Sequence, residues 1–293
     1  MGREKVAVVE NGPNIGAAVE RGIGLIGGLG LEGGEHVVVK PNVCNAKNPY
    51  GMVITDFRLI EVVVRLLQDK AGRITVVESD NISDTANNRA RKSGLLDLLD
   101  GLGGEFLNLS GDDHEVHEVA GKKLRLPRTV LDADYFVNLP KIKTEGHVKV
   151  TLSIKNLFGL PQRRKKSSLH SKLGEILPYL AKIVRSDMIV VDGITAMEGN
   201  GPLIGTPREL GVVVVGVNTV SVDAVCACMM GFDPREIGYL DIANAMGLGE
   251  IDIDGIEVVG DGWERFACEF ERPYSLRASL KSLKSIRKVY LPE

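Results

Sequence analysis

The sequence predicts an α/β protein built on a mostly parallel sheet with helices on both faces, plus a small antiparallel β insertion. Two observations carry that reading. Short β-branched runs alternate with amphipathic helical segments over most of the chain, and the polar or charged residues that follow several of these runs fit strands ending at a common edge. The pattern has no fixed-period repeat and no low-complexity linker, so residues 1–293 read as a single α/β unit, or as two intimately joined lobes.

In chain order, Val6–Val9 is predicted as a strand and Asn14–Ile26 as a helix with Ile15, Val19, Ile23 and Ile26 on one stripe. His36–Val39 is a second strand, ending in Lys40-Pro41-Asn42, and Thr55 is placed as the cap of a helix to about Asp69. Ile74–Val77 ends in Glu78-Ser79, and a helix is expected over Asp84–Leu102. Between Glu105 and Arg125 the runs EFLNLS, HEVHEVA and KKLRLP alternate at period two, which predicts short antiparallel strands in a β insertion over residues 105–126. His114 and His117 read as the surface of those strands.

The parallel pattern resumes at Tyr135–Leu139, ending in Pro140-Lys141. A helix over Ser167–Val184 should kink at Pro178. Met188–Val191 ends in Asp192-Gly193, Val212–Val217 is apolar enough to be buried on both faces, and Ile256–Val259 closes the set after helices at Val220–Met230 and Arg235–Met246. Residues 274–291 read as a basic amphipathic helix, with Leu276, Leu280, Leu283 and Ile286 on one side and Arg277, Lys281, Lys284, Arg287 and Lys288 on the rest. Packing of the apolar side on the body is the first expectation, with a dimer contact or a membrane surface as alternatives.

Aromatic residues are only 5% of the chain, so the core must rest on Val, Ile, Leu and Ala. The net charge of -3 argues against a surface built throughout for nucleic acid. Cys44, Cys226, Cys228 and Cys268 form no C-x-x-C pair and read as buried reduced thiols, the alternative being a cluster ligated by all four from three distant segments. The N-terminal MGREKVAVVE opens a strand and lacks the apolar run of a secretory leader, and no stretch reaches transmembrane length. The expected address is the cytoplasm, and a homo-oligomer is left open.

In open parallel sheets ligands gather beyond the carboxyl ends of the strands. Lys40 and Asn42, Glu78 and Ser79, Lys141 and Lys143, and Asp192 all fall just past predicted strands. The densest signal runs from Lys141 to Lys172, with seven lysines and two arginines against one acid, Glu145. Such a cluster repels itself unless a counter-charge is present, and a phosphate or carboxylate ligand supplies one. Lys141 and Lys143, two apart on extended chain, should point to the same side. Lys155-Asn156 lies embedded in an apolar stretch, where a lysine either snorkels outwards or is held for a purpose.

Lys141, Lys143 and Lys155 with Lys40, Asn42 and Asn156 are therefore the candidate anion-binding residues. Arg163–Lys166 is a plain charge run and is assigned to a solvated loop. His147 and His170 sit beside lysines that favour the neutral imidazole, which suits a general base or a metal ligand, and Asp192 is the third catalytic candidate. A divalent metal is compatible with Glu78, Asp192, Glu198 and Asp223. The segment D-G-I-T-A-M-E-G-N-G-P-L-I-G-T-P matches neither a dinucleotide fingerprint nor a P-loop. It reads as a Gly-rich loop carrying Glu198, Asn200 and Thr206.

These segments resemble the domain of unknown function 362 family. The matching stretches are V-V-V-K-P-N at Val37–Asn42, V-V-E-S at Val76–Ser79, N-L-P-K-I-K-T at Asn138–Thr144 and T-L-S-I-K-N-L-F-G at Thr151–Gly159. They continue with D-G-I-T-A-M-E-G-N-G-P at Asp192–Pro202 and V-S-V-D-A-V at Val220–Val225. Many members carry a ferredoxin-like insert with closely spaced cysteines. This chain has none, so an iron–sulfur cluster is not expected. The family pattern K-x-K-T-H reads here with Glu145 after Thr144, and either His147 takes the histidine's place or that role is lost. A looser similarity, without a long shared motif, extends to the nickel-dependent lactate racemase superfamily, whose histidines and lysines line an interlobe cleft.

The first functional reading is an enzyme acting on a small phosphorylated or carboxylated substrate. A metal- or cofactor-carrying redox accessory protein is second. Nucleic-acid binding is third, weakened by the single aromatic residue, Phe158, within the basic segment.

Overall fold

A computed structural model describes residues 3–290, except for the side chains of Lys284 and Arg287. In chain order the elements are β1 (Lys5–Glu10), α1 (Ile15–Leu25), β2 (His36–Pro41), α2 (Phe57–Gln68), β3 (Arg73–Glu78), α3 (Ala86–Ser93), α4 (Leu95–Leu102) and β4 (Glu105–Asn108). Next come β5 (His114–Val119), β6 (Lys122–Pro127), α5 (Arg128–Leu131), β7 (Tyr135–Leu139), β8 (Lys141–Glu145), β9 (Lys149–Thr151), α6 (Ser153–Leu157) and α7 (Leu173–Ile183). The chain continues with β10 (Met188–Glu198), β11 (Thr206–Gly216), α8 (Thr219–Met229), α9 (Gly238–Ala245), β12 (Glu257–Gly260) and α10 (Leu276–Tyr290).

The main sheet has the order β12-β1-β11-β10-β7-β2-β3-β4, with β8 paired to β10 and β9 to β8. It is mostly parallel, as the alternating pattern predicts. The exceptions are β11, antiparallel to both β1 and β10, and the β8–β9 hairpin. Successive side chains of a strand face opposite sides, so the valine runs feed two cores at once. Val37 and Val39 pack with Val19, Ile60, Val63 and Leu99 on one face, while Val38 and Val77 pack with Leu177, Val222 and Leu240 on the other. Each fully buried Val or Leu contributes ~1.5–3 kcal/mol, which compensates for the scarcity of aromatic residues.

Several boundaries differ from the sequence reading, each for a local reason. The cap of α2 is Asp56, whose side chain accepts from Arg58 N. Thr55 instead turns inward, donating to Leu139 O at 2.8 Å and accepting from Asn42 N at 2.9 Å. The single helix expected over Asp84–Leu102 is two, because Gly94 adopts φ +87 and stops α3 with a left-handed residue that few side chains tolerate. Glu105–Asn108 is not part of the antiparallel insertion. It is the parallel edge strand beside β3, and only β5 and β6 form the separate hairpin. His117 on that hairpin is not a surface side chain, since its Nδ1 lies 3.0 Å from Tyr179 Oη. Asp192 does not end its strand: β10 runs on through a bulge near Gly193 to Glu198.

The C-terminal helix reverses its expected orientation. Ala278, Ser282, Ser285 and Val289 are buried against the body, whereas Leu276, Leu280 and Leu283 are 79%, 63% and 62% exposed. Leu291, the last residue of the helix expected from the sequence, lies outside the described residues. Among the described residues no helix is long and apolar enough to cross a membrane.

Candidate functional site

The carboxyl ends of β2, β3 and β7 lie side by side, as the register pairs Val39 with Val76 and Lys40 with Asn138. Against that edge packs α6, a short helix whose first turn is capped from a distant element. Asp223 on α8 accepts from Ser153 N at 2.7 Å and Ile154 N at 3.0 Å, and also from the Ser153 hydroxyl. These bonds satisfy donors that no residue within so short a helix can reach. Burial pushes the Asp223 carboxyl up to about 7, against the pull of those donors. The consequence is positional: α6 carries Lys155 and Asn156 into the strand-end edge.

A cavity of about 260 Å³ opens there. Lys40, Asn42, Cys44, Glu78, Lys143 and Lys155 line its floor and walls, and Asn156, Lys166 and His170 complete the polar set. Counting Arg164 at the mouth, five cationic side chains face one carboxylate, Glu78.

The cations are held differently. Lys40 is fully buried and committed: its Nζ donates to Glu78 Oε2 at 3.1 Å and to Pro41 O at 3.0 Å. Burial alone would raise the Glu78 carboxyl, but Lys40, Arg89 and Lys166 outweigh it and hold Glu78 below the usual carboxylate range. Gly159 makes this pairing feasible, because a Cβ at that position would lie 2.7 Å from Lys40 Nζ and 3.0 Å from Glu78 Oε1.

Lys143 Nζ donates to Asn42 Oδ1 and Val53 O, both at 2.9 Å, and lies 3.6 Å from Cys44 Sγ. Asn42 in turn donates to Asn156 Oδ1 at 3.2 Å, and Asn156 donates to Asn138 Oδ1 at 2.8 Å. This amide chain fixes three of the predicted residues in one layer. Lys166 Nζ donates to Ser79 Oγ and Gly159 O, both at 2.7 Å. Burial lowers all three of Lys143, Lys155 and Lys166, the last to about 7.

Lys155 is the exception. Among the described residues its ammonium has no hydrogen bond or ion pair, and it sits 4.5 Å from the centroid of the Phe158 ring. With the exposed Arg164 at the mouth, it is one of two cavity cations left, among the described residues, to bind something else.

The two histidines form a chain with Glu145. His147 Nδ1 lies 2.5 Å from Glu145 Oε1, and His147 Nε2 lies 3.2 Å from His170 Nδ1. A carboxylate can only accept, so His147 carries a proton on Nδ1, and when that ring is neutral its Nε2 accepts from His170 Nδ1–H. His170 is then left with a lone pair on Nε2. Burial, His147 and Lys155 depress the His170 pKa, which favours that neutral base. Burial by itself would raise Glu145, yet Lys155 and the His147 bond keep it in the charged form.

Of the sequence-predicted residues, Lys40, Asn42, Lys143, Lys155, Asn156, Glu78 and His170 meet at the cavity, with His147 just behind. Lys141 and Asp192 do not. They form a buried pair at 2.7 Å, and Asp192 also accepts from Asp56 N and Ile194 N, so neither lines the cavity. Asp192, expected as a catalytic base or metal ligand, is held in a core ion pair, and the expected shared facing of Lys141 and Lys143 ends in separate partners. The four carboxylates considered for a metal are also apart. Glu198 faces Lys281 and Arg208, Asp223 caps α6, and Glu78 and Asp192 each hold a lysine. Among the described residues no group of three or more His, Cys, Asp or Glu is arranged to hold a metal.

Sequence reasoning missed Lys166 and Cys44. Lys166 sits in a charge run, yet its side chain is buried while its neighbours Arg164 and Lys165 are exposed. The signal that distinguishes it is the adjacent Ser167-Ser168-Leu169 turn, where Leu169 is fully buried and draws the chain inward.

Comparison with known proteins places these features in context. A thylakoid-associated protein of Synechocystis sp. (strain ATCC 27184 / PCC 6803 / Kazusa) is 29% identical over 276 residues, covering 87% of this chain and 86% of its own. The lactate racemase apoprotein from Thermoanaerobacterium thermosaccharolyticum aligns over 99% of this chain and 91% of its own, with a TM-score of 0.39 and 11% identity. The profile of the family described as domain of unknown function (DUF362) matches residues 37–228, which span every residue of the cavity and both histidines. The chain belongs to the domain of unknown function 362 family.

Proposed function

We propose that this protein is an enzyme that binds a small phosphorylated or carboxylated molecule in the strand-end cavity and moves a proton on it. The observation that carries the reading is the charge count: five cationic side chains and one carboxylate around a cavity sized for a small metabolite. Lys40 is neutralised by Glu78, which leaves Lys143, Lys155, Lys166 and Arg164 to face the anion. Lys155, without a hydrogen-bonding partner among the described residues, is the primary anion contact. Lys143 and Asn156 orient it from the amide layer.

His170 is the proton acceptor. A proton taken on its Nε2 gives an imidazolium whose charge is shared toward Glu145 through His147, so the chain stabilises the protonated form only when it is needed. A desolvated lysine such as Lys155 acts second, as proton donor to an oxygen on which charge develops.

The test is thermal denaturation of wild type and Lys155→Ala against inorganic phosphate, sugar phosphates, nucleotides and small carboxylates, each with and without a divalent metal. A ligand at a hundred times its Kd adds about 2.7 kcal/mol of stability. The expected result is a rise in Tm with one anion class in wild type and none in the variant, with equal Tm values in plain buffer. If no anion in the panel raises the wild-type Tm, the enzyme reading fails and a cofactor-carrying role takes its place.

A further inference from the structure

The exposed face of α10 breaks the usual rule of helix packing. A helix resting on its own protein buries its leucines and leaves small polar residues outside. Here the buried side is Ala278, Ser282, Ser285 and Val289, and Ser285 donates to Gly205 O at 2.5 Å. Leu276, Leu280 and Leu283, spaced by four and three residues, form one stripe that faces solvent, and Tyr290 at the end of the helix is also exposed.

The charges single out one occupant for that stripe. The helix contains Arg277, Lys281, Lys284, Arg287 and Lys288 and no acidic residue, in a chain whose net charge is -3. The helix thus concentrates positive charge on an otherwise acidic protein, only part of it offset by Glu271, 3.6 Å from Arg277, and Glu198, 3.5 Å from Lys281. A second copy meeting this face across a two-fold axis would set one basic helix against its own image, and like charges oppose that. Anionic headgroups complement the bases while acyl chains take the leucines.

We infer that α10 docks the protein on the surface of an anionic lipid bilayer, with Leu276, Leu280 and Leu283 inserted among the lipids. The helix lies in the interface and does not cross it. Its body-facing side is seated on the fold: Ala278, Ser282, Ser285 and Val289 are buried, Ser282 accepts from Asn200 Nδ2 at 3.4 Å and Lys281 lies 3.5 Å from Glu198. The leucine stripe is therefore presented already formed, without a folding step on binding.

The experiment is co-sedimentation of the full chain with phosphatidylcholine vesicles, with and without phosphatidylglycerol, at low and high salt. Wild type should sediment with the anionic vesicles only, and less at high salt as screening shortens the reach of the bases. Leu280→Ser and Leu283→Ser alter exposed positions and should leave the Tm unchanged, while each weakens vesicle binding about tenfold or more. Arg277→Gln with Lys288→Gln should weaken it further. The inference is overturned if folded wild type stays in the supernatant with anionic vesicles, or if both leucine variants sediment like wild type. Analytical ultracentrifugation without lipid supplies a separate check: a dimer abolished by Leu280→Ser would assign the face to a second copy. None of these readouts depends on what the cavity binds.

Discussion

His170 Nδ1 lies 3.2 Å from His147 Nε2, with the two rings at 60° and their centroids 4.3 Å apart. Burial lowers the His170 pKa below the ordinary value of 6.5, and repulsion from an imidazole this close lowers it further. Lys155 adds to the fall. Lys155→Met is therefore expected to raise the His170 titration midpoint, followed by its ring proton and carbon shifts in NMR. An unchanged midpoint would place Lys155 too far from His170 for the proposed partnership.

Lys166, at about 7, is protonated below neutral pH and loses its proton as the pH rises through that value. An anion prefers the protonated form, so its affinity should fall above pH 7 by up to about tenfold per pH unit. Binding at pH 8 should take up protons. Calorimetry in buffers of different ionisation enthalpy measures the uptake directly, and Lys166→Met should abolish the pH dependence between pH 7 and 9.

Gly159→Ala puts a methyl group 2.7 Å from Lys40 Nζ. The ion pair with Glu78 must then shift toward the cavity. A stability loss of ~1–3 kcal/mol is expected in urea denaturation, as for other overpacked sites, together with loss of anion binding. Gly101→Ala, at a glycine of α4 with open space around it, is the control and should leave stability equal or raise it by up to ~1 kcal/mol.

Lys141→Met strips Asp192 of its buried partner. Breaking one side of such a pair costs ~3–5 kcal/mol, and replacing both sides with apolar residues often recovers most of that. Because Asp192 also accepts from Asp56 N and Ile194 N, the second change must keep an acceptor, and Lys141→Met with Asp192→Asn is expected to be more stable than Lys141→Met alone. Because the pair lies off the cavity, the double variant should keep its anion affinity. A loss of binding in a well-folded double variant would return this pair to the site.

The alternation of valine runs and amphipathic helices determined the fold class. Period and burial are local properties of the chain, and the same residues that pattern a strand also bury it. The strand-end rule likewise picked out Lys40, Asn42, Glu78 and Lys143, because the register of a parallel sheet brings the carboxyl ends of neighbouring strands to one edge. Which charge faces which was decided only by tertiary structure. Lys141 and Lys143 differ by two positions on the same strand, yet one meets Asp192 across β10 and the other meets Asn42 at the cavity. Lys166 looks like its exposed neighbours in sequence and is buried because Leu169 pulls its turn inward. On α10 the leucine stripe is plain in the sequence, but its outward orientation is not, because an apolar stripe does not specify what covers it. Pairing partners and helix facing arise from contacts between segments far apart in the chain, and no local pattern carries them.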